Sequence, residues 1–332
     1  MSGEILKSSI NVHWLRPDNA LWVNSFSQTF GEECKKFVKN SKNTIDIGCG
    51  DGTTSFIMLE GQFGDSFDIF RDVQANDENL YSKADRSSTG SLDDSKGDFY
   101  NTYSKKWKQS LKIKQRPVGQ YGFGTDWKKA LIDKAVDLDL YENTIVHDSN
   151  ITPLPFKENN FDFIFSTIIY WLSDTKKTLS AINKLLCKDG IFAFSCPNEN
   201  ITNFTLHSMI NKYDYPKLDR LDRGRHANWK RHARSRDQWE NEINSSGFKV
   251  IDYKQFNSSL QIAMGETIIR TMLKSYMVLY DKLVPNHEDI LLDFKKSWVD
   301  EIYTLLEPFD DKKWLEKKEQ EYLYHAFFIQ KM

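Results

Sequence analysis

Cysteine is scarce in this 332-residue chain, and its four copies are scattered. Cys34, Cys49, Cys187 and Cys196 show no paired CxxC spacing. That excludes the usual zinc or disulfide framework and points to reduced thiols and no metal. Net charge is also nearly absent: 45 basic against 47 acidic side chains leave −2, so no overall field draws the chain to nucleic acid or membranes. Long apolar runs are missing. Mean hydropathy is −0.59 and nothing approaches the roughly 20 apolar residues of a membrane span, so a soluble protein is expected. The opening Met-Ser-Gly-Glu has neither a basic nor an apolar leader region, and a cytoplasmic location is expected. No Gly-x-Gly-x-x-Gly followed by an acid about 20 residues on is found, which argues against a nicotinamide dehydrogenase.

What is present is a strand running into a glycine turn, Thr44-Ile-Asp-Ile-Gly-Cys-Gly-Asp-Gly-Thr53. Ile45 and Ile47 alternate around Asp46 as in a buried strand. Gly48, Gly50 and Gly52 let the backbone turn tightly and approach a bound molecule. Thr53, Thr54 and the apolar Phe56, Ile57 and Leu59 then open a helix whose first amides would face that molecule. This Gly-x-Gly-x-Gly with an acid in the strand resembles motif I of the class I S-adenosylmethionine-dependent methyltransferases, of the type 11-like kind. The resemblance implies an α/β fold, a doubly wound, mainly parallel seven-stranded sheet, with S-adenosylmethionine as cofactor. It places Gly48, Cys49, Gly50 and Gly52 along the methionine and ribose, and Asp46 at the amino group.

Such a site needs an acid at the end of the second strand to accept both ribose hydroxyls. Asp77 and Asp126 compete. Asp126 is followed at once by an amphipathic helix carrying Leu131, Ile132, Ala135, Val136 and Leu138, then by an apolar strand reaching Asp148, 22 residues on. One helix, a turn and a strand fill that interval, whereas the 71 residues from Asp77 leave a gap. Asp126 is therefore expected to be the ribose acid, with Trp127 beside the adenine; a helix N-cap is the plain alternative, and both roles can coexist.

The stretch from His147-Asp148 through Leu154-Pro-Phe156 to Phe161-Asp-Phe-Ile-Phe-Ser-Thr-Ile-Ile-Tyr-Trp171 is similar to the family's third and fourth motifs. A nearly continuous apolar run suits a central parallel strand whose C-terminal end faces the ligand. The resemblance makes Asp148 an adenine contact with Ser149 and Asn150 as neighbours, and Tyr170 and Trp171 candidates for the methyl-transfer pocket; core packing is the plain alternative for both aromatics. A helix over 175–186, a turn at Lys188-Asp-Gly190 with Gly190 left-handed, and a fifth strand at 191–195 follow. No Asn/Asp-Pro-Pro-Tyr/Phe tetrapeptide occurs, which argues against nucleobase or glutamine amides as acceptors.

The chain divides accordingly. Residues 1–43 form a helical cap whose aromatics pack on the domain, with Arg16 and His13 as the exceptions; in this family such segments close over the cofactor, so Arg16 would meet the methionine carboxylate. Residues 44–200 form the core, with 61–116 inserted. Residues 201–235 form a basic lid, and 236–332 complete the sheet with a closing edge strand after a helical hairpin inserted at 260–320. Residues 220–236 are the one charge anomaly: Arg220, Arg223, Arg225, Lys230, Arg231, Arg234 and Arg236 stand against Asp222, with His226, Trp229 and His232 interleaved. Arg223, Arg225, His226 and Trp229 are expected to grip an anionic small-molecule acceptor. A solvated helix face is the plain reading of any single arginine there. If the acceptor is a hydroxyl, His226 or His232, then Tyr170, is the candidate general base. The expected activity is methyl transfer to a small molecule, such as a surface-polysaccharide sugar or a secondary metabolite. An RNA methyltransferase and a non-catalytic S-adenosylmethionine binder are the alternatives.

Overall fold

The alternation of Ile45 and Ile47 around Asp46 yields a strand buried along its whole length, and the rest of the sheet is laid out on either side of it. The computed structural model describes residues 2–41, 43–70, 103, 105–206, 208, 225–283, 288–310 and 321–332. Within these, the strands are β1 (Thr44–Ile47), β2 (Gln62–Phe63), β3 (Ile113–Gln115), β4 (Tyr121–Asp126), β5 (Tyr141–Val146), β6 (Phe161–Ser166), β7 (Leu186–Pro197), β8 (Phe248–Ser258) and β9 (Tyr322–Lys331). Seven form one sheet in the order β5-β4-β1-β6-β7-β9-β8, and β2 pairs with β3. The first five strands of the sheet are parallel, while β9 runs antiparallel to both β7 and β8. This is a Rossmann-like, doubly wound α/β architecture.

Period-two alternation assigns the two faces. Phe163 and Phe165 of β6 turn to the long N-terminal helix Pro17–Asn40, where Phe37 stacks on Phe163 at 4.4 Å and Phe30 meets Phe165 edge-on at 5.6 Å. Ile164 turns the other way, into a cluster with Leu179 and Ile182 of the helix Thr175–Leu185 and Trp239 of the helix Arg236–Ser245. That second helix opens with a full capping box from Ser235 and Gln238.

Several expectations change. The cap contains a further helix, Ser2–Val12, ahead of Pro17–Asn40. β9 is not an edge strand: it is paired on both sides and buried from Leu323 to Ile329, so both its faces are covered and β8 takes the edge. Asp189, not Gly190, is left-handed, with φ of +62°, because β7 continues through the expected turn; a Cβ at Gly190 would come within 3.0 Å of the Phe161 carbonyl. The hairpin region begins with the helix Ser259–Met264, passes through a π-turn, Gly265–Ile269, and continues in the helices Leu273–Leu283 and Glu288–Leu306. It packs on the cap: the Trp298 indole donates to the Trp14 carbonyl at 2.7 Å. The Asp68 carboxylate accepts from both the Trp14 indole and the Tyr280 hydroxyl.

Phe165 is fully buried among Phe26, Phe30 and Tyr121. Phe165→Ala is expected to cost about 3–5 kcal/mol in chemical denaturation; a loss below about 1 kcal/mol would place this cluster outside the core.

Candidate functional site

β1 ends in a turn whose backbone only glycine accepts readily. Gly48 and Gly50 have φ of +76° and +59°. A Cβ on Gly48 would lie 2.4 Å from the Ile168 side chain, so that position permits a close approach of the loop to the turn after β6. A Cβ on Gly50 would meet no atom within 4 Å, so it borders open space. The pairing of Ile47 with Thr125 brings the end of β4 level with this turn. The Gly50 amide donates to Asp126 Oδ2 at 3.2 Å and the Lys128 amide to Oδ1 at 2.9 Å.

Around this junction lies a cleft of about 330 Å³. Gly48, Gly50, Asp126, Trp127, Asp148, Ser149, Asn150, Arg16 and Trp171 all line it, so most of the cofactor candidates converge from five separate segments. Asp148 Oδ1 accepts from the Asn150 amide and side chain, each at 2.9 Å, and Asn150 Oδ1 accepts from Ser173. The loop after β5 is thereby tied to the turn after β6. The Lys128 ammonium lies 5.0 Å from the centre of the Trp127 ring.

Three cofactor candidates do not line the cleft. Asp46 lies beneath the loop, accepting from Ser55 Oγ at 2.6 Å and the Tyr141 hydroxyl at 2.8 Å. Cys49 is buried, and the Gly52 turn packs on Leu138 and Tyr141. The helix Thr53–Met58 has six residues, and its first amide donates to Asp51 at 3.0 Å.

The lid candidates are dispersed. Tyr170 is buried edge-on to Tyr324. Trp229 and His232, on the helix Arg225–His232, are buried away from the cleft lining; burial, helped by Arg234 and Arg231, pushes the His232 imidazole down to about 4. His226 Nδ1 lies 3.4 Å from Thr205 Oγ1. Arg234 pairs with Glu242 and lies over Trp239, and Arg236 pairs with Glu240 and lies over Tyr253. Asp77, Arg220, Asp222, Arg223 and the Arg225 side chain lie outside the described residues.

Other cleft residues were not singled out from sequence: Asn19, Asp51, Ile69, Lys128, His147, Ile168 and Leu172 among them. Ile168 and Leu172 belong to the motif already recognised around Tyr170. Ile69 comes from the insertion and carried no local signal. His13 lines the cleft beside Arg16. Burial lowers its imidazole to about 4, Asp51 and Asp18 opposing and Arg16 assisting, so it is neutral near pH 7. The Asn19 amide nitrogen is 3.2 Å and 3.3 Å from its two ring nitrogens.

Residues 112–194 match the family model described as a methyltransferase domain. No curated protein matches the chain. Among solved structures it is similar to the [4+2]-cyclase SpnF, at 11% identity and a TM-score of 0.45 over 94% of this chain and 81% of that one. It is also similar to a Thiobacillus denitrificans S-adenosylmethionine-dependent methyltransferase in complex with S-adenosyl-L-homocysteine, at 11% identity and a TM-score of 0.43 over 92% and 90%. A third is the geranyl diphosphate C-methyltransferase of Streptomyces coelicolor, at 10% and 0.39 over 92% and 79%. Likenesses this distant carry no argument about substrate.

Burial is the main cause that raises Asp126 from 3.8 to about 6. Its ionised form is therefore disfavoured in the folded state: the penalty is absent below about pH 4, grows as pH rises through 6, and is complete above. Asp126→Asn is expected to be more stable than wild type at pH 7.5 and to lose that advantage at pH 4. A denaturation difference independent of pH would contradict the burial of a charged carboxylate here.

Proposed function

We propose that this chain, a class I S-adenosylmethionine-dependent methyltransferase, transfers a methyl group to a small-molecule acceptor from the cleft between the β1 turn and the ends of β4, β5 and β6. The observation that carries the reading is the carboxylate of Asp126 beside the open face of Gly50. A second acid, Asp148, lines the same cleft, as does Arg16 of the cap. That donor set fits the cofactor: an acceptor pair for two ribose hydroxyls, an acceptor for an adenine amine, an aromatic face at Trp127 and a cation for a carboxylate. When bound, S-adenosylmethionine supplies a methyl group activated on a sulfonium.

What the protein contributes is position and dryness. Asp126 would fix the nucleoside, held in place by its own bonds from Gly50 and Lys128. Ile168, Trp171 and Leu172 would wall the reacting end and exclude water. Asp46 is a support, bracing the strand against Ser55 and Tyr141. If the acceptor is a hydroxyl, the neutral His13 imidazole is better placed to receive its proton than His226, His232 or Tyr170, since it lines the cleft. The pairing of Arg234 and Arg236 with nearby acids leaves less of the basic segment to grip an anion, whether a small molecule or an RNA backbone. A cytoplasmic location and the division of the chain at residues 43, 200 and 235 belong to the same proposal.

The test is isothermal titration of S-adenosylmethionine and S-adenosylhomocysteine, with NAD as control. Wild type is expected to bind both at about micromolar affinity and to ignore NAD. Asp126→Ala is expected to bind about a hundredfold more weakly, from the loss of two hydrogen bonds to a charged group. No binding by folded wild type would overturn the reading.

A further inference from the structure

A second cavity, of about 130 Å³, lies between the cap and the C-terminal hairpin. It backs onto the cleft: within residues 13–16, His13 and Arg16 line the cleft while Trp14 and Leu15 line the cavity. Five aromatic rings, Trp14, Tyr276, Tyr280, Phe294 and Trp298, wall it together with leucines from both elements. Trp14 stands edge-on to Tyr280 at 5.7 Å and to Phe294 at 6.3 Å, and Trp298 edge-on to Tyr276 at 5.3 Å. Four of these rings carry a polar atom, and each is engaged. The Trp14 indole donates to Asp68 Oδ1 at 3.2 Å and the Tyr280 hydroxyl to Oδ2 at 2.8 Å. The Trp298 indole donates to the Trp14 carbonyl at 2.7 Å, and the Tyr276 hydroxyl to Met272 Sδ at 3.2 Å. Asp68 and Met272 are not lining residues, so these bonds hold the rings from behind and leave hydrocarbon facing the cavity. The Phe70 amide fixes Asp68 in turn, at 2.9 Å.

We propose that this cavity is a second binding site, separate from the cleft, for one small apolar molecule: a single hydrocarbon ring or a branched alkyl compound of about six carbons. Size and wall chemistry carry the inference. Native interiors rarely leave voids larger than a water, and 130 Å³ is several times a water's share of the liquid, about 30 Å³. A water needs several polar partners, which these walls do not turn inward. An apolar cavity of about 150 Å³ stays dry and takes benzene. A hydrogen-bonding ligand would lose its hydration and regain nothing. The leucines interrupt the rings, so the walls are not the closed aromatic cage that suits a quaternary ammonium. Because the rings are tied from behind, the site is preformed and little ordering is needed on binding. Leu279 and Phe294, 44% and 37% exposed, mark its mouth between the two hairpin helices.

The inference is independent of what the cleft binds, and benzene is the probe, with tetramethylammonium as the cationic control. A crystal of the full chain soaked in benzene is expected to show one ring in this cavity and no ordered water. Titration in solution is expected to give a Kd of about 1 mM or tighter. Leu279→Asp changes an exposed side chain at the mouth and is expected to weaken benzene about tenfold or more, whereas Leu279→Met is expected to stay within about threefold of wild type. A soaked crystal whose cavity is empty or holds ordered water would overturn the proposal, as would benzene binding unchanged in Leu279→Asp. Tighter binding of tetramethylammonium than of benzene would also overturn it, in favour of a cation site. So would a dimer in solution that Leu279→Asp dissociates, since a side chain of a second copy would then be the occupant.

Discussion

The hydrogen bond from the Gly50 amide to Asp126 is the contact on which the candidate site depends, because it joins the turn after the first core strand to the end of the strand beside it. It requires a residue at 50 that tolerates positive φ, and a strand register that brings Asp126 level with the loop. It also requires burying a carboxylate, and the main effect of that burial is to push the group up to about 6. The two backbone amides that reach it offset part of the cost. A carboxylate held through backbone amides, one to each oxygen, keeps lone pairs that hydroxyl donors can reach.

The sheet order explains why this junction is where a ligand belongs. From β1 the chain adds β4 and β5 on one side and β6 and β7 on the other, so the connections diverge between β1 and β6. At such a switch point the loops separate and leave a crevice at the carboxyl ends of the strands. Here Gly48 closes the inner end of the crevice by packing on Ile168, while Gly50 leaves its outer part open. The cap then supplies what the core lacks. His13, Arg16 and Asn19 reach the cleft from the turn and helix start between the two N-terminal helices, which are anchored in turn by aromatic contacts to the sheet and to the C-terminal hairpin.

Local signals carried much of this. The β1 turn, the interval from Asp126 to Asp148 and the apolar run of β6 were legible because each follows from backbone geometry or strand burial over a few adjacent residues. The central place of β9 was not: its polar ends suggest an edge, and only the pairing with β8 on its far side shows why its middle is apolar on both faces. The left-handed residue at Asp189 was missed because glycine is the easier carrier, yet the bulged pairing of β7 with β6 puts the strain one residue earlier. The basic segment offered composition alone. Charge counts say nothing of partners, and Arg234 and Arg236 find theirs in Glu242 and Glu240 of the helix Arg236–Ser245. Ile69 and Asn19 had no signature at all, since only tertiary structure brings them to the cleft.

The central claim is that the cofactor nucleoside is held by the acid at the end of β4. The most direct measurement is a crystal structure of the protein with S-adenosyl-L-homocysteine. The account expects the ribose hydroxyls within hydrogen-bond distance of the Asp126 carboxylate and the adenine between Trp127 and Asp148. A ribose held instead by Asp77, or a ligand lodged outside this cleft, would contradict it.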